Sequence, residues 1–404
     1  MKKSLRAFLL SISCCASLFG AANKLSDIEP AREFYVDLEP KACDTKCLVT
    51  LLKKGQIFSF LSRFRENLAN DELSMKYRDF LAVNFGSFGS SSTPSFVPTG
   101  SAAKIAVLIP QKTIKSYSVI VSNSIIAYSA AAKNKALAQF FLFDDESNIG
   151  SVLENVLAQG FNYAIAPITD AALEQIADER YKGIFFYVPT LHASLARYEQ
   201  PNILFGGVDY DGQIRSLSQK TDGKIASISD GSRLGSMLNR QVALQNPDAF
   251  LSVIETKNVD LRGELRRSGF MGASVFLNTT LLKTSLISSQ FRVYDVNVKK
   301  VLCTQICYDP ALFSLTQPSD RANMLIAISF SDIDENLLAN AKLLGVDLKY
   351  DRVAYPVMFG MDYIITNFID KNAHSFFMES VSGSQVQYKT QILQPTKSGF
   401  EIVE

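Results

Sequence analysis

The residues best equipped for chemistry in this 404-residue chain are six cysteines and two histidines. Cys14 and Cys15 lie in an N-terminal apolar run. The other four form two Cys-x-x-x-Cys pairs, Cys43-Asp-Thr-Lys-Cys47 and Cys303-Thr-Gln-Ile-Cys307. A zinc centre wants Cys-x-x-Cys or histidine partners, and no histidine is near either pair. A redox dithiol normally reads Cys-x-x-Cys. An even count in an exported chain reads as disulfides. Cysteines four apart bridge where a tight loop or helix end holds their Cα atoms within about 7 Å. The spacing therefore predicts two local bridges, Cys43–Cys47 and Cys303–Cys307. His192 and His374 have no Cys, Asp or Ser motif beside them. Asp209-Tyr-Asp211-Gly212 has half the look of a calcium loop but lacks the closing Glu, and reads as a plain turn. No G-x-S-x-G, H-E-x-x-H, P-loop or dinucleotide fingerprint occurs. The chain reads as non-enzymatic, with no catalytic set, no cofactor and no metal.

The charge balance removes further classes. Lys and Arg number 41 against 40 Asp and Glu, a net charge of +1. That gives no electrostatic case for binding nucleic acid or an acidic membrane surface. With 47% hydrophobic residues the chain can build a large core and more than one domain.

The N-terminus has the three parts of a secretory signal. Lys2, Lys3 and Arg6 precede the apolar run Phe8–Phe19, and Gly20-Ala21-Ala22 leads into polar Asn23 and Lys24. The run is well short of the ~20 residues that a spanning helix needs, so residues 1–22 are expected to be cleaved. Ser11-Ile12-Ser13 before Cys14 is a poor lipid-attachment signal. The mature chain is expected in the periplasm, touching a membrane only through a partner.

The elements that must position any site follow. Residues 23–84 make a short helical segment around Cys43 and Cys47. Leu48–Lys54 is a helical turn broken at Gly55. Ile57, Phe60, Leu61, Phe64 and Leu68 share a helical face, and Glu72–Val83 is a further helix. This face fits packing within the segment, on the main domain or on a partner. Residues 85–101, rich in Gly, Ser and Pro, read as a linker that carries Phe85, Phe88 and Phe96. From residue 102 near-continuous apolar strands alternate with helices, which means parallel sheets covered on both faces. The strands are Lys104–Ile109, Gln139–Phe143, Asn162–Ala166 and Ile184–Val188, then Lys224–Ser227, Phe250–Ile254, Ser274–Leu277, Lys299–Leu302 and Leu325–Ser329. The helices include Val119–Lys133, Asn148–Gln159, Thr169–Asp178, Lys283–Phe291, Glu335–Leu344 and Pro356–Phe368. The tail from Ser384 alternates like exposed antiparallel strands.

In such sheets ligands sit beyond the carboxyl ends of strands, where helix N-termini offer free N–H groups. The turns there supply Gln111, Tyr117, Thr169, Asp170, Thr190, Ser229, Ser232 and Tyr308. Thr169, Ser229 and Ser232 suit a carboxylate, and Tyr117 and Tyr308 suit an apolar wall. Helix capping by the hydroxyls and plain packing of the tyrosines fit the same residues.

Four runs carry a family resemblance: Lys104-Ile-Ala-Val-Leu-Ile-Pro110; Ala158-Gln-Gly160 with Tyr163-Ala-Ile-Ala-Pro167; Ser229-Asp-Gly-Ser-Arg-Leu-Gly235; and Val275-Phe-Leu277 through Cys303-Thr-Gln305 to Tyr308-Asp-Pro310. In this order they resemble the type I periplasmic-binding fold, and within it the LppC-type family of penicillin-binding-protein activators. The resemblance implies a two-lobed α/β domain over 102–404. The chain would cross between lobes near Asp209, near Ala322–Ser329 and near Glu379. Lobe one would hold about 102–209 and 330–378, and lobe two about 210–322 and 379–404. The family carries a long helical-repeat domain ahead of this fold, where the present chain has only the 23–84 segment. Its amino-acid-binding relatives hold ligand with small polar residues after the lobe-one strands; the corresponding positions here are Gln111, Thr169, Asp170 and Thr190. Two roles are implied. One is a scaffold or regulator within an envelope protein complex, such as a cell-wall synthase or a flagellar or secretion machine. The other is a solute-binding protein for a small polar ligand such as an amino acid.

Overall fold

A computed structural model describes residues 43–65, 68, 70–85, 103–132, 136–198, 200–255, 257–330 and 332–403. The expected signal at 1–22 and nearly all of the linker at 85–101 lie outside the described residues. The chain divides into two compact units, Met1–Phe96 and Val97–Glu404.

Among the described residues the first unit contains three α-helices, α1 (Thr45–Lys53), α2 (Ile57–Arg63) and α3 (Asp71–Phe85). Asp44 caps α1 by accepting the Cys47 N–H, and the Cys43–Cys47 disulfide staples the same first turn across a Cα separation of 5.2 Å. Gly55 at φ 71° separates α1 from α2, a backbone that glycine adopts without a Cβ clash. The three helices bury their apolar faces on one another: Leu48, Leu51, Phe60, Phe64 and Leu73 form one core. Phe64 stacks on Tyr77 with ring centroids 4.1 Å apart. The periodicity through Leu68 outruns the helix, which stops at Arg63 because Phe64 turns to extended backbone.

The second unit has two sheets of seven strands. Side by side, the first sheet runs Ser380–Ser382, Gln385–Gln387, Ile203–Phe205, Phe185–Val188, Tyr163–Ile165, Lys104–Pro110, Leu137–Phe143, and the second Phe400–Ile402, Gln391–Pro395, Met324–Ile328, Lys300–Cys303, Ser274–Asn278, Ile225–Ser229, Phe250–Val253. In chain order the first sheet takes β1 (Lys104–Pro110), β2 (Leu137–Phe143), β3 (Tyr163–Ile165), β4 (Phe185–Val188) and β5 (Ile203–Phe205). The second takes β6 (Ile225–Ser229), β7 (Phe250–Val253), β8 (Ser274–Asn278), β9 (Lys300–Cys303) and β10 (Met324–Ile328). These ten strands pair in parallel within their sheets. The tail adds β11 (Ser380–Ser382) and β12 (Gln385–Gln387) to the first sheet, and β13 (Gln391–Pro395) and β14 (Phe400–Ile402) to the second.

Burial explains why the parallel strands were unbroken apolar runs. Ile105, Val107 and Ile109 of β1 face one core with helices α4 (Tyr117–Ala132), α10 (Glu335–Leu343) and α11 (Ala354–Ile364). Ala106 and Leu108 face another with α5 (Ile149–Ala158). The second sheet is likewise sandwiched. Ala226, Ile228, Val275 and Leu277 face one core with α9 (Leu281–Val293). Phe276 and Leu302 face α7 (Tyr210–Gln219) and α8 (Arg233–Gln245). Both faces covered is the condition that removes polar alternation from a strand.

Three expectations are corrected. The helix expected at Thr169–Asp178 shrinks to α6 (Leu173–Ile176) and a 3-10 turn at Glu179–Tyr181. The third crossing between lobes lies between Gln387 and Gln391, not near Glu379, because β12 pairs with β5 of the first sheet. The tail strands are not simply exposed, since Val386, Ile392 and Leu393 are buried.

The buried Asp362 carboxyl is expected to give lobe one a pH-dependent stability. Asp362 of α11 is buried and accepts from Tyr128 Oη (3.1 Å), Ser375 Oγ (2.7 Å) and the Phe376 N–H (3.1 Å). Burial pushes its carboxyl above the usual range, partly offset by these donors. A carboxyl whose pKa is raised by folding favours the native state while protonated. Its contribution is full below the unfolded pKa and is lost as pH rises through the folded pKa. The melting temperature of wild type minus that of Asp362→Asn is therefore expected to fall as pH is raised from about 4, then to level off. A difference that rises with pH would contradict this.

Candidate functional site

The two sheets meet through the carboxyl ends of their strands, and the contact that shows it is an ion pair. Arg233, at the start of α8 in lobe two, reaches Asp170 in the turn after β3 of lobe one. The Asp170 side chain is 30% exposed and that of Arg233 71%, so the pair adds about 0–1 kcal/mol. It fixes geometry more than it adds stability. Further contacts join the lobes. Tyr350, from the 330–388 segment, packs on Tyr308 at 4.7 Å and belongs to the lobe-two core. Tyr210, at the start of α7, packs on core residues of both lobes.

Three residues of lobe one's rim, Thr169, Asp170 and Thr190, bond to the chain's own groups. The Thr169 N–H donates to Glu146 Oε1 and its hydroxyl to Oε2, each at 2.6 Å. The same hydroxyl accepts the Ala171 N–H at 3.4 Å within the turn, and α6 itself has no side-chain cap. Thr190 Oγ1 donates to the Ile168 carbonyl. Gln111 is exposed in a helical turn, Gln111–Ile114, and Tyr117 lies under the Arg352 guanidinium at 5.5 Å. His192 accepts the Ser194 N–H and sits 3.9 Å from Asp209. Burial pushes its imidazole below the ordinary value, against the opposing pull of Asp209. Asp209 itself caps α7 through the Gly212 N–H, so that motif is a helix start.

Lobe two's rim divides. Ser232 caps α8 by accepting the Gly235 N–H at 3.1 Å. Asp230 ties two strand ends together, accepting the Ser232 N–H at 3.0 Å and the Thr280 N–H at 2.9 Å. Tyr308 is buried among Tyr350 and Phe400, and burial pushes its phenol up. Cys303 and Cys307 are bonded, with Cα atoms 5.9 Å apart, and this bridge shapes the turn that carries Gln305. Gln305 and Gln213 clasp each other: the Gln305 N–H donates to Gln213 Oε1 at 2.9 Å, and Gln213 Nε2 donates to Gln305 Oε1 at 3.2 Å and Ser329 Oγ at 2.9 Å. Four buried atoms at neighbouring strand ends find no partner among the described residues: Ser229 Oγ, Asn278 Oδ1, Thr304 Oγ1 and Gln305 Nε2. Ser229 and Asn278 are in register across β6 and β8.

Of the eight residues singled out in the sequence, the structure thus joins Thr169 and Asp170 to partners across the rim. It turns Ser232 into a cap and Ser229 into a buried hydroxyl, and it leaves Gln111 exposed. Local reading missed Glu146 and Arg233, because each reaches its partner over a long sequence separation, 23 and 63 residues. Among the described residues no group of His, Cys, Asp and Glu could hold a metal. No helix among them is long and apolar enough to cross a membrane.

No family model and no curated protein matches the chain. Solved structures do. An extracellular ligand binding receptor from Desulfohalobium retbaense aligns at TM-score 0.55 and 12% identity, over 75% of this chain and 59% of the receptor. The chain thus spans about 59% of that receptor's length. The C-domain of LpoA from Haemophilus influenzae, a regulator of PBP1A, aligns at TM-score 0.50 and 9% identity, over 75% of this chain and all of that domain. An R. palustris solute binding protein in complex with 4-hydroxybenzoate aligns at TM-score 0.53 and 12% identity, over 75% and 95% of the two chains. The second unit has the type I periplasmic-binding fold. At these identities the likeness establishes the fold alone. Within the periplasmic-binding fold, both binding proteins and a regulator occur among the structures it resembles.

Proposed function

We propose that this protein is a periplasmic, non-enzymatic interaction protein that scaffolds or regulates an envelope machine, using a periplasmic-binding fold whose lobe-one rim no longer serves a solute. The observation that carries the reading is that three of the four lobe-one positions suited to a ligand are already bonded within the chain. Thr169, Asp170 and Thr190 all bond to the chain's own groups. Asp170 in particular joins the lobes directly, a link that elsewhere a ligand would have to make. The helical unit with its Cys43–Cys47 staple supplies a second surface. The resemblance to the LpoA domain supports a cell-wall synthase as partner class; a flagellar or secretion assembly fits the same chemistry.

A second reading is supported by lobe two. Four buried polar atoms without partners at adjoining strand ends are what a small polar ligand, such as an amino acid, would satisfy. One experiment separates the two. Cross-linked, tagged full-length protein is purified from the envelope, and the same protein is melted against a metabolite panel. The scaffold reading expects a membrane-bound synthase, flagellar or secretion component in the eluate and no shift in melting. A ligand present at 100 times its Kd would add about 2.7 kcal/mol, and a shift of that size with an empty eluate would overturn the scaffold reading.

A further inference from the structure

We infer that the Thr169 turn is a carboxylate-binding subsite that the protein fills with its own Glu146 side chain. Two donors of one residue converge on one carboxylate, the backbone N–H on Oε1 and the hydroxyl on Oε2, both at 2.6 Å. The hydroxyl bond has the length of a charge-assisted O–H···O contact. Glu146 is only 9% exposed, so these bonds, and not open water, satisfy its oxygens. It arrives from the turn after β2, a different strand end, where Asp145 accepts the Ser147 N–H at 2.9 Å and fixes the loop. Thr169 follows β3, so the two donors present what a free carboxylate would meet at that strand end.

A tethered carboxylate competes at an effective concentration that free solutes do not match. The wild-type subsite is therefore closed to external acids. This inference rests on the reading of the rim as self-satisfied. Its test uses purified protein without a partner, so failed partner capture and failed rescue are separate results.

Glu146→Ala removes one methylene and one carboxylate, which are the heavy atoms of acetate. The variant is expected to melt below wild type in chloride. Acetate at matched ionic strength is expected to raise its melting temperature saturably, by roughly 2–4 °C at tenfold excess over Kd, while leaving wild type unmoved. In Glu146→Ala with Thr169→Val the hydroxyl donor is gone, and acetate should bind at least about tenfold more weakly. Where Glu146→Ala does not accumulate folded, its refolding yield in acetate against chloride reads the same quantity. Equal behaviour in acetate and chloride, or undiminished rescue with Thr169→Val, would overturn the inference.

Discussion

Replacing Arg321 with alanine is expected to lower the melting temperature of the second unit by about 8 °C. Arg321 is 2% exposed, and its guanidinium is fully engaged with lobe two. Nε donates to the Thr396 carbonyl at 3.0 Å, and Nη1 to the Thr316 carbonyl at 2.7 Å and to its hydroxyl oxygen at 3.0 Å. Nη2 donates to the Lys397 carbonyl at 2.8 Å. Phe313 lies beneath the plane at 4.9 Å. The side chain thereby pins the turn between β13 and β14 to the start of β10. Truncation leaves three carbonyls without their donor, each costing about 1–3 kcal/mol when buried. It also opens a cavity where the planar group stood. A total near 4 kcal/mol, at about 2 °C per kcal/mol for a domain of this size, gives the stated shift. Lysine at this position would restore the charge but not the fork of donors, so Arg321→Lys should recover less than half. Calorimetry reads the shift, and hydrogen exchange should place the loss at 391–403. A drop below 2 °C would mean that the turn is held by other contacts.

Gly207→Ala is expected to cost about 3 kcal/mol, more than a surface methyl ever should. Gly207 lies on the first crossing between the lobes, where its N–H donates to the Leu191 carbonyl at 2.8 Å. An added Cβ would lie 2.2 Å from the Leu191 carbonyl carbon, 2.5 Å from its oxygen and 2.6 Å from the His192 nitrogen. All three are backbone atoms, so no side chain can swing aside, and overpacking of this kind sits at the top of its usual range. Moving the 190–194 turn also displaces Thr190 and the bond from the Ala193 N–H to Gln385 Oε1 at 2.8 Å. Gly263→Ala is the control. Nothing lies within 4 Å of its Cβ position, and alanine there should be neutral or stabilising by up to about 1 kcal/mol. Urea midpoints compare the two. Equal midpoints would show that the crossing yields where its packing says it cannot.

The layered halves were legible because burial on both faces writes itself into composition: a strand such as Lys104–Pro110 has no polar side to display. Short or ambiguous pieces were not. β5 is three residues long between polar stretches. The helix at Tyr210–Gln219 opens with Asp-Gly, which reads as a turn, although the structure uses Asp209 as its cap. Alternation in the tail announced strands but could not say which sheet each would join. That choice is made by long-range pairing, Gln385 beside Phe205 in the first sheet and Ile392 beside Ala327 in the second. At the site, local reading found the turns because hydroxyls and carboxylates cluster after strands. What those groups hold is decided by tertiary closeness, as with Glu146 on Thr169 and Arg233 on Asp170, and no pattern of neighbours in sequence encodes it.

The distribution of the last four strands has a consequence for how the molecule comes into being. Residues 380–387 finish one sheet and residues 391–402 finish the other, so a chain emerging from the ribosome can complete neither lobe until residues 380–402 have been made. Until then β5 and β10 are bare edges, the kind that invite pairing with other unfinished chains. A stop codon a few dozen residues early would disable both lobes at once, not trim one of them.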